Sequence, residues 1–230
     1  MPFFYGIDYT YVVYVLPAII FALYAQAKVQ STFARYLEVP NSYGFTGAAV
    51  ARSLLDRNGL YDVEIQMIPG SLTDHYDPRS KVLRLSEAVY GSSSIAAIGV
   101  AAHETGHALQ HAQGYAPLAV RNALVPIANL GSNLTWIFVI AGIIFGLPSL
   151  INIGILFFIG AVLFQIVTLP VEFNASNRAL AMLSGEGFIT KSELKPVRAV
   201  LSAAAMTYVA ATIVAIAQLL RLLAIRNREE

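Results

Sequence analysis

Four apolar runs, residues 9–27, 124–147, 150–171 and 201–225, have about the length of 20 residues that a helix needs to cross a bilayer. They leave little choice of architecture. In hydrocarbon every backbone N–H and C=O must be paired internally, which helices achieve and open strands do not. Composition agrees: 57% of the residues are hydrophobic and 13% charged, against about 45–50% and about 25% in an ordinary soluble domain. The expected fold class is a mainly α integral membrane protein with about four transmembrane helices and a lipid bilayer as its surroundings. Residues 25–27, "AQA", have the form of a signal-peptide cleavage site, but the flank "MPFFYGID" carries one Asp and no Lys or Arg. A retained anchor is expected.

Water-side chemistry is then expected in residues 28–123, the only sizeable polar region, with a second, short segment at 173–200. The formal net charge is +1, and Lys and Arg are scattered or lie beside membrane ends, so no nucleic-acid partner is expected. Cysteine is absent, which excludes disulfides, thiolate metal ligands and thiol nucleophiles. Any metal must be held by His, Asp or Glu. Lys28, Arg35 and Arg121 flank the first polar segment, and Arg178, Lys191, Lys195 and Arg198 follow the third run, whereas the turn at 146–152 has no Lys or Arg. The positive-inside rule places both polar segments in the cytoplasm. Arg226 and Arg228 fall on the other side, a conflict that a re-entrant fourth segment would remove.

Within 28–123, "FTGAAVARSLLDRNG" has a helix N-cap in Thr46 and a stop in Gly59. "YDVEIQMI" alternates like a strand, and "SLTDHY" and "KVLRLS" flank the turn residues "DPRS" as in a hairpin. A long helix at 94–113 follows. The segment is expected to form a small α+β domain with a β-hairpin and this helix.

That helix holds three of the chain's four histidines, in "VAAHETGHALQHAQG". His103 and His107, four apart, share a helix face and can present two imidazole nitrogens to one ion. Glu104 sits on the adjoining face, placed to take a proton from an attacking water and pass it to a leaving amine. The His-Glu-x-x-His order is the metalloprotease helix motif, and a chance coincidence of three residues is the plain alternative. The surrounding "SIAAIGVAA" makes ionisable groups costly here unless they are paired or bind metal. His111, one turn further, lies about 5.4 Å beyond His107 along the axis. It is not expected to complete the same tetrahedral site, and Gln110 stands just before it where a metzincin would have glycine.

A His2Glu zinc site needs a carboxylate from elsewhere. Downstream stand Glu172, Glu186, Glu193, Glu229 and Glu230. Glu172 stands out at the end of an apolar run in "LPVEFNASNRAL", where an unpaired carboxylate is expensive. Pro170 suits a first helical position just before it, and a Glu there also interacts favourably with a helix N-terminus. Asn174, Ser176 and Arg178 are placed to hydrogen-bond behind the ligands. Runs two and three form a membrane hairpin that returns the chain to its starting side, as a shared metal requires.

"AAHETGHALQH", "LTDHYDP" with "LRLSEAVYG", and "LPVEFNASNRAL" together resemble the bacterial neutral zinc metallopeptidases of the YugP type, from about Tyr43 to the end of the fourth run. More distantly the order is similar to the HtpX and CAAX prenyl protease group, whose ligand helix reads Glu-x-x-x-Asp; Ser176 stands in the last position here. The resemblance implies a zincin-like domain, one zinc per chain held by His103, His107 and Glu172, and Glu104 as base. It implies a membrane peptidase, expected in a bacterial cell membrane, and no particular substrate; a peptidase of this kind is expected to act on a peptide or membrane protein, and whether the chain self-associates stays open.

His75 or Tyr76 in "TDHYD" is a candidate oxyanion donor, a role worth about 3–4 kcal/mol, and Arg178 is another. Asp74 and Tyr76 are candidates for holding substrate, although Asp74 and Asp77 also suit turns before Pro78. Asn129, Asn133 and Gln165 suit helix-to-helix hydrogen bonds within the membrane. The competing function is a membrane zinc transporter or sensor, which would place polar residues at the midplane of several spans.

Overall fold

The computed structural model describes residues 9–229; the "MPFFYGID" flank and Glu230 lie outside the described residues. A π-helical turn at Tyr11–Val15 leads into α1 (Leu16–Leu37), followed by α2 (Gly47–Arg57), β1 (Glu64–Ile68), β2 (His75–Asp77), β3 (Val82–Ser86) and a short α3 (Glu87–Tyr90). Then come α4 (Ile95–Ala112), α5 (Ala116–Phe145), α6 (Pro148–Gly185) and α7 (Leu194–Glu229). Among the described residues four helical stretches are long and apolar enough to cross a membrane: Tyr11–Leu37, Ala116–Phe145, Pro148–Gly185 and Leu194–Asn227.

Each of these helices outruns its apolar stretch. Pro170 lies inside α6 instead of starting a new helix before Glu172. A proline removes one backbone donor, but neighbouring groups in a membrane protein can satisfy the freed carbonyl, so the helix need not end. The fourth run also forms no re-entrant loop. α7 is continuous over 36 residues, enough at 1.5 Å per residue to cross a bilayer with turns to spare.

The chain divides into two compact units, one built from residues up to Gln26 with Val120–Leu169 and Thr207 onward, the other from Ala27–Ala119 and Pro170–Met206. In the first, parts of α5 and α6 form an antiparallel hairpin of close contacts. A Cβ on Gly131 would run into the Phe157 carbonyl oxygen, and one on Gly154 would lie 2.9 Å from that of Thr135. Thr135 Oγ1 donates to the Gly154 carbonyl at 3.0 Å, tying the two helices. Asn129 and Asn133 face outward; threonine makes the interhelical bond expected of them. Gln165 contributes its backbone carbonyl, which Thr212 Oγ1 reaches at 3.4 Å. The turn is a Schellman stop: Gly146 takes φ +62° and Leu147 N–H donates to the Gly142 carbonyl at 2.8 Å.

The second unit is organised around α4, which is apolar on nearly every side and correspondingly buried. One face, with Ile98, Ala102 and Leu109, packs against Val50, Leu54, Leu183, Val197 and Leu201. The other, with Ala97, Ala101 and Ala108, packs against Leu55, Leu83, Leu85 and Val89. Ser94 caps the helix by accepting from Ala97 N–H at 3.1 Å, and Thr46 does the same for α2 from Ala49 N–H at 3.2 Å. The expected hairpin forms between β2 and β3, with Tyr76 opposite Leu83. β1 joins the far side of β3 in parallel register, so β2 is an outer strand of the sheet.

Glu193 joins the start of α7 to the loop before α2. Its carboxylate accepts from Ser42 N–H and Oγ at 2.7 and 3.0 Å. It also accepts from Thr190 N–H and Oγ1 at 2.7 and 2.8 Å. Burial opposes its charge, but these donors outweigh it and hold the carboxyl below its usual 4.5. A group depressed in the folded state stabilises above its unfolded value and loses that effect as pH falls through its folded value. Glu193→Gln is therefore expected to lower the thermal midpoint at pH 7, at about 2–4 °C for each kcal/mol lost in a chain of this length. The gap should close as pH drops below the carboxylate range. An equal gap at pH 7 and pH 3 would show that the charge is immaterial.

Candidate metal centre

The second unit brings α4 against the Pro170–Gly185 part of α6 at very short range. Gly106 makes this approach possible, since a Cβ there would lie 2.8 Å from the Ala175 carbonyl oxygen and 3.2 Å from Ala175 Cα. Backbone cannot yield as a side-chain tip can. Gly106→Ala is expected to cost about 1–3 kcal/mol in overpacking and to push the Glu172 helix outward, loosening the cluster it belongs to. Thermal unfolding and zinc content measure both effects. Wild-type values in the variant would show that the helices do not meet this tightly.

Across this contact His103, His107 and Glu172 converge, with one ligand atom from each within 4.8 Å of the others. Glu172 Oε2 is 3.2 Å from His103 Nε2 and 3.5 Å from His107 Nε2. The two imidazoles stand edge to face, at 4.7 Å and 89°. Each turns its other nitrogen away to a partner. His103 Nδ1 is 3.1 Å from Ser176 Oγ, and His107 Nδ1 is 3.0 Å from Gln110 Oε1. Two outward-held Nδ1 atoms leave two Nε2 atoms and a carboxylate facing one point, a nitrogen and oxygen set suited to zinc. Burial works against a charged His107, but its bond to Glu172 and the charge of Glu104 raise its proton affinity above the ordinary imidazole value. The same field favours any cation placed there.

Glu104 is buried on α4 between the two histidines in sequence, and its Oε2 accepts from the Tyr76 backbone N–H at 3.0 Å. Tyr76 also reaches His111, its hydroxyl 2.9 Å from Nδ1. His111 thus has a partner on β2 and is outside the cluster of three.

The other hairpin and α6 candidates are occupied differently. His75 is exposed and its Nδ1 lies 2.9 Å from the Thr73 carbonyl of its own segment. Strand alternation explains this, since His75 and Tyr76 point to opposite faces. The structure does not bring His75 to the cluster. Asp74 spends both oxygens on Ser86, accepting from its N–H at 2.7 Å and its Oγ at 3.0 Å. Burial raises the Asp74 carboxyl, an effect that the Ser86 bonds partly offset. Asp77 binds Arg79 N–H, Ser80 Oγ and Arg84 in the turn. Arg178 donates from Nε to Asn174 Oδ1 at 2.7 Å and from a terminal nitrogen to Gln113 Oε1 at 2.6 Å, with its guanidinium 5.9 Å from the Tyr115 ring. These bonds brace the end of α4 against α6.

Residues 11–227 match the family described as "Putative neutral zinc metallopeptidase". The chain belongs to this family. It is 50% identical over 200 residues, 87% of this chain and 89% of the relative, to the "Putative membrane protease YugP" of Bacillus subtilis (strain 168). No solved structure matches it. Membership of the neutral zinc metallopeptidases agrees with the metal-binding potential of the three converging side chains.

Proposed function

We propose that the chain is a zinc-dependent endopeptidase embedded in the cell membrane, of the gluzincin-like type, with a zincin-like domain around α4. The observation that carries this reading is the convergence of His103, His107 and Glu172 from two helices, with Glu104 immediately beside the first ligand. The three side chains would hold one zinc ion. Zinc in such a set polarises a carbonyl and makes water nucleophilic near neutral pH.

The chain's own residues supply the rest. Glu104 accepts the proton of the water that attacks the peptide carbonyl and delivers it to the departing amine, converting an unstable leaving group into a neutral one. The Tyr76 backbone N–H holds one oxygen of Glu104 at 3.0 Å, leaving the other free for that transfer. β2, as an outer strand, has an unpaired edge along which an extended peptide can lie. Substrates are peptides or membrane proteins cut where these groups meet the membrane. Both histidines lie on α4, which is not one of the four spanning stretches, so the transporter alternative has no observation in its favour.

Purified protein in lipid or detergent should cleave an unstructured protein substrate, stop when a zinc chelator is added, and recover when zinc is returned. Full activity after zinc removal would refute the reading. The orientation rests on Lys28, Arg35, Arg121 and the basic residues after α6, with Arg226 and Arg228 against it. Reporter fusions after Gln113 and Ala175 should both report cytoplasm, and one at 146–152 the opposite side; reversed signals would overturn the orientation alone.

A further inference from the structure

Gln110 is fully buried one turn beyond His107 on α4. A buried amide is costly unless both ends are paired, and the identities of its neighbours settle which end is which. One end lies 2.8 Å from the Val171 carbonyl oxygen and 2.9 Å from Asn174 Oδ1. A carbonyl only accepts, and Asn174 Oδ1 is itself fixed as an acceptor by the Arg178 Nε–H at 2.7 Å. That end of Gln110 is therefore the NH2 group.

The other end is Oε1, 3.0 Å from His107 Nδ1. An amide oxygen cannot donate, so the proton of neutral His107 sits on Nδ1 and the lone pair on Nε2. Nε2 is the nitrogen that faces Glu172. His103 has no equivalent constraint, because the Ser176 hydroxyl beside its Nδ1 can donate or accept.

We infer that Gln110 is a positioning residue for the metal. It holds His107 in the tautomer whose Nε2 can bind zinc, and through the Val171 carbonyl it ties that imidazole to the backbone next to Glu172. One amide thus coordinates a ligand from α4 with a ligand from α6. The inference rests on the assignment of His107 and Glu172 as zinc ligands. The partner is a neutral amide where many zinc-binding histidines have a carboxylate, so the imidazole carries less added negative charge.

The test uses the full chain in detergent, with zinc affinity measured by competition against a chromogenic chelator and the state of the histidine nitrogens read by NMR. His107→Ala should abolish stoichiometric binding; wild-type affinity in that variant would refute the ligand assignment and with it the inference. Gln110→Leu keeps the volume but cannot accept from Nδ1, and should weaken zinc by about 10–100-fold with unchanged circular dichroism. Wild-type affinity in Gln110→Leu, with His107→Ala defective, would overturn the role of Gln110 alone. Nitrogen NMR of the zinc-loaded chain with isotope-labelled histidine reads the tautomer without a substitution: His107 should be bound through Nε2 and keep a slowly exchanging proton on Nδ1, held by the Gln110 oxygen. A rapidly exchanging Nδ1 proton, or zinc held through Nδ1, would also overturn that role, and decides the matter if the leucine variant does not fold.

Discussion

Glu104→Gln is expected to lower peptide hydrolysis by about 100- to 10,000-fold, the usual worth of a positioned general base, while zinc content and thermal stability stay near wild type. The amide keeps the shape of the carboxylate and can still accept from the Tyr76 N–H through its oxygen. It cannot take a proton from water near neutral pH. Glu104 is also buried beside two histidines that would themselves be neutral when bound to zinc, so losing its charge leaves no other carboxylate to substitute. Glu172 is turned to the histidines, and both oxygens of Asp74 are taken by Ser86. The comparison is of turnover per bound zinc, which separates a lost base from a lost metal. Turnover within tenfold of wild type at equal zinc content would remove Glu104 from the chemistry.

The other large effect concerns the ligands. His103→Ala, His107→Ala and Glu172→Ala should each reduce zinc affinity by more than the roughly 10–100-fold that loss of an outer hydrogen-bond partner costs. Activity should fall with occupancy. His111→Ala removes the Tyr76 contact and should leave zinc stoichiometric, as its imidazole is engaged by the Tyr76 hydroxyl and not by the cluster. Elemental analysis of the four purified variants distinguishes them. A zinc-deficient His111→Ala beside a zinc-replete Glu172→Ala would assign the third ligand to α4 instead of α6.

The cluster of His103, His107 and Glu172 was legible in the sequence because ionisable residues stand in apolar surroundings. Two histidines in an alanine-rich helix, and a glutamate at the end of an apolar run, each call for a partner, and the structure pairs them with one another. The four spans were legible for the same reason of composition. Their ends were not: a helix does not stop where its apolar stretch stops, so α6 passes through Pro170 and carries Glu172 on a helix already formed. The hairpin followed from local turn chemistry, whereas the parallel pairing of β1 with β3 depends on tertiary packing that no local pattern encodes.

Two residues that shape the centre were visible but unread. Gln110 is a polar residue in an apolar helix and stands three after His107, close enough along the helix to share its face. Gly106 has an ordinary φ, so backbone conformation does not explain it. Its significance emerges only when the Ala175 carbonyl is found where a Cβ would be. In the hairpin the alternation of "DHYD" was legible, but which face met α4 was not, and so His75 and Tyr76 could not be separated by sequence alone.

X-ray absorption at the zinc edge of the purified, active protein tests the central claim most directly. The predicted spectrum has two imidazole nitrogens at about 2.0–2.1 Å and oxygen donors completing the shell, with one imidazole lost in His107→Ala. A shell with three imidazoles, or one whose imidazole count is unchanged by His107→Ala, would contradict the site built from His103, His107 and Glu172.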